Sequence, residues 1–313
     1  MAEPSRPGSD TPRSNTQAAV EFLADSGSLA AEMPDLLVQA HELATTIIVG
    51  QHGRRRAGTG EDFWQYRAFF PGETASMIDW RRSARDDHLF VREHEWEAAH
   101  TVWLWVDTSL SMNFSSDPAL RTKRARALIL SLALSECLAR GGERIGIPAL
   151  LPAKAGRTRT RRVAEALLAA EPAALPATSG VGRYSDLVIF GDFLDNEQQT
   201  LQELQTIAAT GARAHLVQVV DPIEETFPFR GRTEFTEPET GRKLILGRAD
   251  TLAEAYQERL ARLRDQLRTF VGPLGWSFVV HRTDRSAIAA LAPLVARLAD
   301  RPEIAAVARE GVS

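Results

Sequence analysis

The sequence predicts an α/β fold: a mostly parallel sheet with helices on both faces, preceded by a small N-terminal β-containing flank. Three observations predict it. Continuous apolar runs recur from Thr101 onward, as expected of strands buried on both faces. Helical patterns of about 10 to 20 residues separate these runs. Three of the runs are followed by a turn that carries a carboxylate, Asp107, Asp192 or Asp221. The first run is TVWLWV (Thr101–Val106), followed by a helix over about Pro118 to Arg140 that Gly141-Gly142 closes. RIGIPALL (Arg144–Leu151) reads as the next strand and Arg162–Ala170 as a helix stopped by Glu171-Pro172. DLVIF (Asp186–Phe190) reads as a strand, Glu197–Ala209 as a helix and AHLVQVV (Ala214–Val220) as a strand. Phe227 to Leu246 reads as a hairpin turning at Glu239-Thr240-Gly241. A helix over Leu252–Phe270, a strand WSFVV (Trp276–Val280) and a helix over Ala287–Leu298 complete the series.

Ahead of the sheet, residues 1–17 are rich in Pro, Ser, Thr and Asn and read as a disordered tail. Residues 18–98 read as helices around Ala18–Ala24 and Met33–Val49, then the small β-containing flank. Residues 99–300 form the expected α/β domain and 301–313 a C-terminal tail.

Of the 313 residues, 44% are hydrophobic and 25% charged, the balance of a soluble protein with a real core. A net charge of -4 argues against bulk attraction to nucleic acid or acidic lipid. The single cysteine, Cys137, excludes a disulfide framework and a cysteine-rich zinc site. No apolar run reaches the roughly 18 residues of a membrane span. The first residues carry no apolar stretch of a secretory signal, so the expected compartment is the cytoplasm.

In an open α/β sheet, ligands bind beyond the carboxyl ends of the strands. The first strand ends in Asp107-Thr108-Ser109-Leu110-Ser111, and the DLVIF strand is followed by Gly191-Asp192. A carboxylate and two hydroxyls on one turn are hard oxygen donors, the set that Mg²⁺ takes. A second carboxylate on a neighbouring strand would repel the first without a cation and share one with it. The plain alternative is that these side chains only cap and close a turn. The metal reading requires the two carboxylates to lie within about 10 Å of each other, close enough to share a hydrated ion, and to face solvent.

The chain is similar to the domain of unknown function 58 family, whose members carry a von Willebrand factor type A-like domain of Rossmann type. The resemblance covers about His52 to Leu298. It rests on Gly58-Thr59-Gly60-Glu61-Asp62-Phe63, Tyr66-Arg67-Ala68-Phe69-Phe70-Pro71-Gly72-Glu73, Ile78-Asp79-Trp80-Arg81 and Ser83-Ala84-Arg85. Asp107-Thr108-Ser109-Leu110-Ser111-Met112 then matches the family's D-x-S-x-S-M. The resemblance implies a metal-ion-dependent adhesion site for Mg²⁺ or Mn²⁺. In it Ser109 and Ser111 hold the cation directly, Asp107 and Asp192 hold it through water, and an acidic protein partner completes the shell. It also implies a MoxR-type AAA+ ATPase as partner and a role in protein assembly or metal insertion. Type A domains add a threonine from a second loop, and here Thr178 and Ser179 are that loop's sole hydroxyl candidates. No Thr-Asp pair stands there, and Ser76 replaces an arginine common before Ile78-Asp79-Trp80.

Other features are set aside. Gly58-x-Gly60 lacks a third glycine and a preceding buried strand, so nucleotide binding is not expected. His88, His94 and His100 would lie about 20 Å apart along a strand, too far to share an ion. The basic clusters Arg121–Arg126 and Arg157–Arg162 read as solvated faces. Asp79-Trp80 reads as a structural joint and Cys137 as core. The expectation is a non-enzymatic interaction module. A metal-independent scaffold of the same fold is the alternative, and a metal-dependent hydrolase using Asp107 and Asp192 is the third reading, which lacks an identifiable base.

Overall fold

The computed structural model describes residues 27–52, 63–69, 78–85, 88–94, 100–194, 196–236 and 241–299. The expected tails and the Ala18–Ala24 pattern lie outside the described residues, as does the segment Gly58–Asp62. The described residues form two compact units. One runs up to Val49 and resumes at His100; the other is Gly50–Ala99.

The first unit is built on a six-stranded, mostly parallel sheet flanked by helices. Strand β3 (Thr101–Val106) pairs in parallel with β4 (Arg144–Ile147) on one side and β6 (Ser185–Gly191) on the other. Beyond β6 lie β7 (Arg213–Val220) and β10 (Ser277–Arg282), also parallel. Strand β5 (Leu151–Lys154) closes the far edge antiparallel to β4, giving the order β10-β7-β6-β3-β4-β5. The chain leaves β3 toward β4 and returns on its other side as β6. The crevice beyond β3 and β6 is therefore the topological switch point, where such sheets bind ligands. Every residue of β6 is buried, which explains its unbroken apolar text.

The expected strand Arg144–Leu151 is two strands. Pro148 offers no amide to the ladder, and Ala149 adopts a left-handed φ of 59°, so the chain turns back as β5. Gly146 on β4 is required by a close approach. A Cβ there would meet Trp103 Cζ3 at 2.5 Å and the Ala153 amide nitrogen at 2.9 Å.

Helix α3 (Lys123–Arg140) starts five residues later than the sequence predicts. Asp117 takes the Ala119 amide and Ser115 bonds the Leu120 carbonyl, making a separate turn before Thr122 caps the helix. The helix is buried nearly all round, with Leu128, Leu130, Leu132 and Leu134 in the core. It packs on α4 (Arg159–Leu168) and α8 (Ala287–Ala299) and against the central strands. Helices α5 (Glu197–Ala209) and α7 (Ala253–Val271) pack on β7 and β10 respectively. A short helix α6 (Pro222–Thr226) follows β7, and β8 (Thr233–Thr236) with β9 (Lys243–Leu246) makes the expected hairpin. Cys137 is buried, and burial pushes its thiol up to about 11.

Of the helical patterns within residues 18–98, the described one packs with the sheet. Helix α1 (Met33–His52) carries Leu36, Ala40, Ala44 and Ile47 on one stripe, and all four join the core of the first unit. Burying Leu36 and Ile47 is worth about 1.5–3 kcal/mol each. The second unit has β1 (Phe63–Ala68) antiparallel to β2 (Phe90–His94). Between them, Asp79 accepts the Arg81 amide at the start of a single-turn helix α2 (Trp80–Ser83). Among the described residues, no helix is long and apolar enough to cross a membrane.

The basic clusters are not solvated faces throughout. Lys123, Arg124 and Arg159 are buried, and Arg159 donates to the Ile145 carbonyl at 2.6 Å and to the Pro152 carbonyl. At the amino ends of the strands, Asp186 is wholly buried and receives two bonds from Arg213, at 2.8 and 2.9 Å. His100 Nε2 lies 3.0 Å and His215 Nε2 3.5 Å from the same carboxylate, while His215 Nδ1 meets Ser277 Oγ at 2.7 Å.

His281 sits buried on β10, where its Nε2 accepts from Arg126 Nε at 3.0 Å. Burial first, then the Arg126 charge, brings its pKa down to about 4. The unfolded value is about 6.5, so the unfolded chain binds more protons between these limits. The stability contributed is complete above pH 6.5 and is lost as pH falls toward about 4. Between about pH 7 and about pH 5, urea melts should show a loss of about 2 kcal/mol from this group. His281→Gln should remove that increment; an unchanged pH dependence would contradict the assignment.

Candidate functional site

The switch point gathers the residues that end β3 and β6. Val106 and Phe190 are register partners, so Asp107 and Gly191 stand side by side, and the Asp107 amide donates to the Phe190 carbonyl at 2.8 Å. Gly191 leaves room for this: a Cβ there would meet Asp107 Cβ at 3.0 Å and Oδ2 at 3.1 Å. Asp107 Oδ1 accepts the Ser109 amide at 2.8 Å and the Ser109 hydroxyl at 2.5 Å. Ser109 Oγ is 3.0 Å from Ser111 Oγ, which donates to Asp192 Oδ2 at 2.9 Å. Three consecutive contacts therefore join Asp107 to Asp192 and bring four of the five expected site residues together.

The fifth, Thr178, is not part of this chain of bonds. Its carbonyl accepts the Val181 amide. The second loop reaches the site through its backbone nearer Pro172. Thr108 Oγ1 donates to the Glu171 carbonyl at 2.8 Å and accepts the Ala173 amide at 2.9 Å. Trp105 Nε1 donates to the Ala174 carbonyl at 3.1 Å.

The carboxylates do not face solvent as the metal reading requires. Asp107 is 1% exposed and Asp192 0%. Against Asp192 stands a residue that the sequence reading placed on a solvated face. Lys123, the first residue of α3, is 1% exposed and points its ammonium into the site. Its Nζ lies 2.8 Å from Asp192 Oδ2 and 2.6 Å from Glu224 Oε1. Burial alone would lower the Lys123 pKa, but the two carboxylates outweigh it and hold the ammonium above its ordinary value. Glu224 is itself fixed by a capping box, since its second oxygen accepts the Asp221 amide at 2.8 Å while Asp221 caps α6. Gln218 donates to the Asp192 carbonyl at 2.8 Å and accepts Arg264 Nε at 2.8 Å. The Asp192 Oδ1 accepts the Leu194 amide at 3.1 Å.

A divalent ion can be tested against this arrangement. Mg²⁺ with ligands at about 2.1 Å sets adjacent oxygens about 3.0 Å apart, and the Ser109 and Ser111 hydroxyls meet that spacing at 3.0 Å. The charge does not fit. A cation shared with Asp192 would stand beside a buried ammonium already bonded to the same oxygen, at a repulsive cost that burial magnifies. Among the described residues, no group of three or more His, Cys, Asp or Glu is placed to hold a metal ion. The residues as arranged do not fit the ion.

Beside the cluster is a cleft of about 440 Å³ between α5 and the second loop, lined by Ser109, Pro172, Leu175, Asn196, Gln199 and Glu203 among others. Ser109 belongs both to the bonded cluster and to this lining. The sequence reading missed Lys123, Glu224, Thr108 and Gln218. Only Gln218 carried a usable signal, as a polar residue interrupting the apolar run AHLVQVV.

The family model described as "Protein of unknown function DUF58" matches residues 65–266, more than half of the chain. The chain belongs to the DUF58 family. This DUF58 chain is 24% identical over 292 residues to Uncharacterized protein Rv1480 of Mycobacterium tuberculosis, covering 87% of this chain and 90% of the relative. The figures are the same for Uncharacterized protein Mb1516 of Mycobacterium bovis. Among solved structures, the conserved hypothetical protein BatB of Bacteroides thetaiotaomicron is 15% identical, with a TM-score of 0.36, covering 64% of this chain and 99% of that one.

Proposed function

We propose that this DUF58 protein is a non-enzymatic, metal-independent protein-interaction module of von Willebrand factor type A-like architecture. Its binding face is the loop rim beyond β3 and β6. The observation that carries this reading is the state of the rim's polar groups. The Ser109 hydroxyl donates to Asp107, the Ser111 hydroxyl and the Lys123 ammonium donate to Asp192, and both carboxylates are buried. An adhesion-type cation needs an open coordination position, and buried carboxylates of which one is bonded to an ammonium do not offer it. What such a rim offers is a fixed shape beside a cleft, which suits recognition.

The family resemblance supplies the class of partner, a MoxR-type AAA+ ATPase, and with it a role in protein assembly or metal insertion. The Mg²⁺ or Mn²⁺ site completed by an acidic partner is less well supported, because Lys123 and the depth of the carboxylates stand against it. A hydrolase using Asp107 and Asp192 is disfavoured on the same ground. The test is binding to a MoxR-type ATPase from the same genome, by calorimetry. Gln199→Arg, on the exposed wall of the cleft, should weaken binding by about tenfold or more and change stability by no more than about 0.5 kcal/mol. Binding insensitive to Gln199→Arg would contradict the rim as the face. Turnover of a phosphoester or peptide panel that Ser109→Ala abolishes would contradict the non-enzymatic reading.

A further inference from the structure

We infer that Lys123 takes the place a divalent ion would hold in this rim, and that removing its charge turns the rim into a divalent-cation site. The inference rests on the metal-independent reading above and goes further, by naming the internal cation and what would replace it. Three observations carry it. The first is position. The Lys123 ammonium is bonded to Asp192 at the end of β6 and to Glu224 on α6, tying two loops to the start of α3. A hydrated metal ion at a rim has the same task of drawing together oxygen donors from separate loops.

The second is the absence of a local reason for a lysine there. A cation in the first turn of a helix opposes the helix dipole, and a buried ammonium is costly unless paired. Thr122 already caps α3 by accepting the Ala125 amide, so the cap does not need Lys123. The residue is explained by the two carboxylates it neutralises.

The third is what its removal would leave. Asp192 and Glu224 would keep two buried carboxylates without their cation. The Ser111 hydroxyl is bonded to Asp192 and stands 3.0 Å from the Ser109 hydroxyl, the spacing of adjacent oxygens in an octahedral shell. Oxygen donors with net negative charge are a hard-cation set. A neutral side chain as long as methionine retains the packing of the lysine stem while freeing the position of its ammonium.

The experiment compares wild type with Lys123→Met in MgCl₂ or MnCl₂ alone, by thermal melting and calorimetry. In about 10 mM cation, wild type should shift by less than about 1 °C, whereas Lys123→Met should gain about 5 °C or more. Ser111→Ala added to Lys123→Met should abolish most of that gain. A folded Lys123→Met protein that ignores both cations overturns the inference and leaves the metal-independent reading standing. Wild-type Mn²⁺ binding that Ser111→Ala removes overturns both. Should Lys123→Met fail to fold in either salt, the wild-type titration decides: no Ser111-dependent heat supports Lys123 as the resident cation, and such heat overturns it.

Discussion

Asp186→Asn should destabilise the protein by about 3–5 kcal/mol, the cost of breaking a buried charge cluster by removing one partner. For a unit of this size that lowers Tm by about 10 °C or more. The carboxylate is wholly buried at the start of β6 and faces Arg213 and His215 from β7 and His100 from the residue before β3. Burial alone would raise its pKa, but His100, His215 and Arg213 together outweigh that and hold it far below the usual carboxylate range. A depressed folded-state pKa means that the unfolded chain takes up the proton first. The stability from Asp186 is thus complete above the unfolded value of about 4 and is lost as pH falls below it. Chemical melts across this acid range should show a steep loss in wild type and a shallower one in Asp186→Asn. Equal slopes, or a loss under about 1 kcal/mol at neutral pH, would show that the cluster contributes little.

Lys123→Met, in the absence of divalent cations, should also cost about 3–5 kcal/mol, because two carboxylates lose their buried counter-charge. Its diagnostic feature is coupling. If the ammonium serves Asp192, then Asp192→Asn should cost much less in the Lys123→Met background than in wild type. The double-mutant cycle should return an interaction of about 1–3 kcal/mol. Additive losses would mean that Lys123 and Asp192 act independently. The contribution of Ser111 separates further, since its hydroxyl donates to the same Asp192 oxygen and needs no charge to do so.

Which parts of the molecule the sequence reveals follows from how local their causes are. Strands β3, β6 and β7 are legible because burial on both faces demands unbroken apolar text, and α5 because the helical pattern over Glu197–Ala209 coincides with the helix formed. The split of Arg144–Leu151 was hidden, since the reversal falls on Ala149, a residue type that rarely takes a positive φ. Helix α1 was grouped with the flank because its apolar stripe shows that it packs but not against what. Asp107, Ser109, Ser111 and Asp192 were legible because they follow strand ends at the switch point, where position alone suggests a role. Lys123 and Glu224 were not. Their meaning lies in a meeting across the fold, and in the sequence Lys123 is one member of a basic cluster. The Asp186 cluster was equally hidden as an assembly. His215 did leave a trace, a titratable residue inside AHLVQVV that a fully buried strand admits only with a partner.

The most direct test of Lys123 as the resident cation is an anomalous-scattering map from wild-type crystals grown in Mn²⁺. The account predicts the Lys123 ammonium between Asp192 and Glu224 and no manganese within about 4 Å of the Ser109 and Ser111 hydroxyls. A manganese peak bonded to both hydroxyls, with the lysine displaced from Asp192, would contradict it.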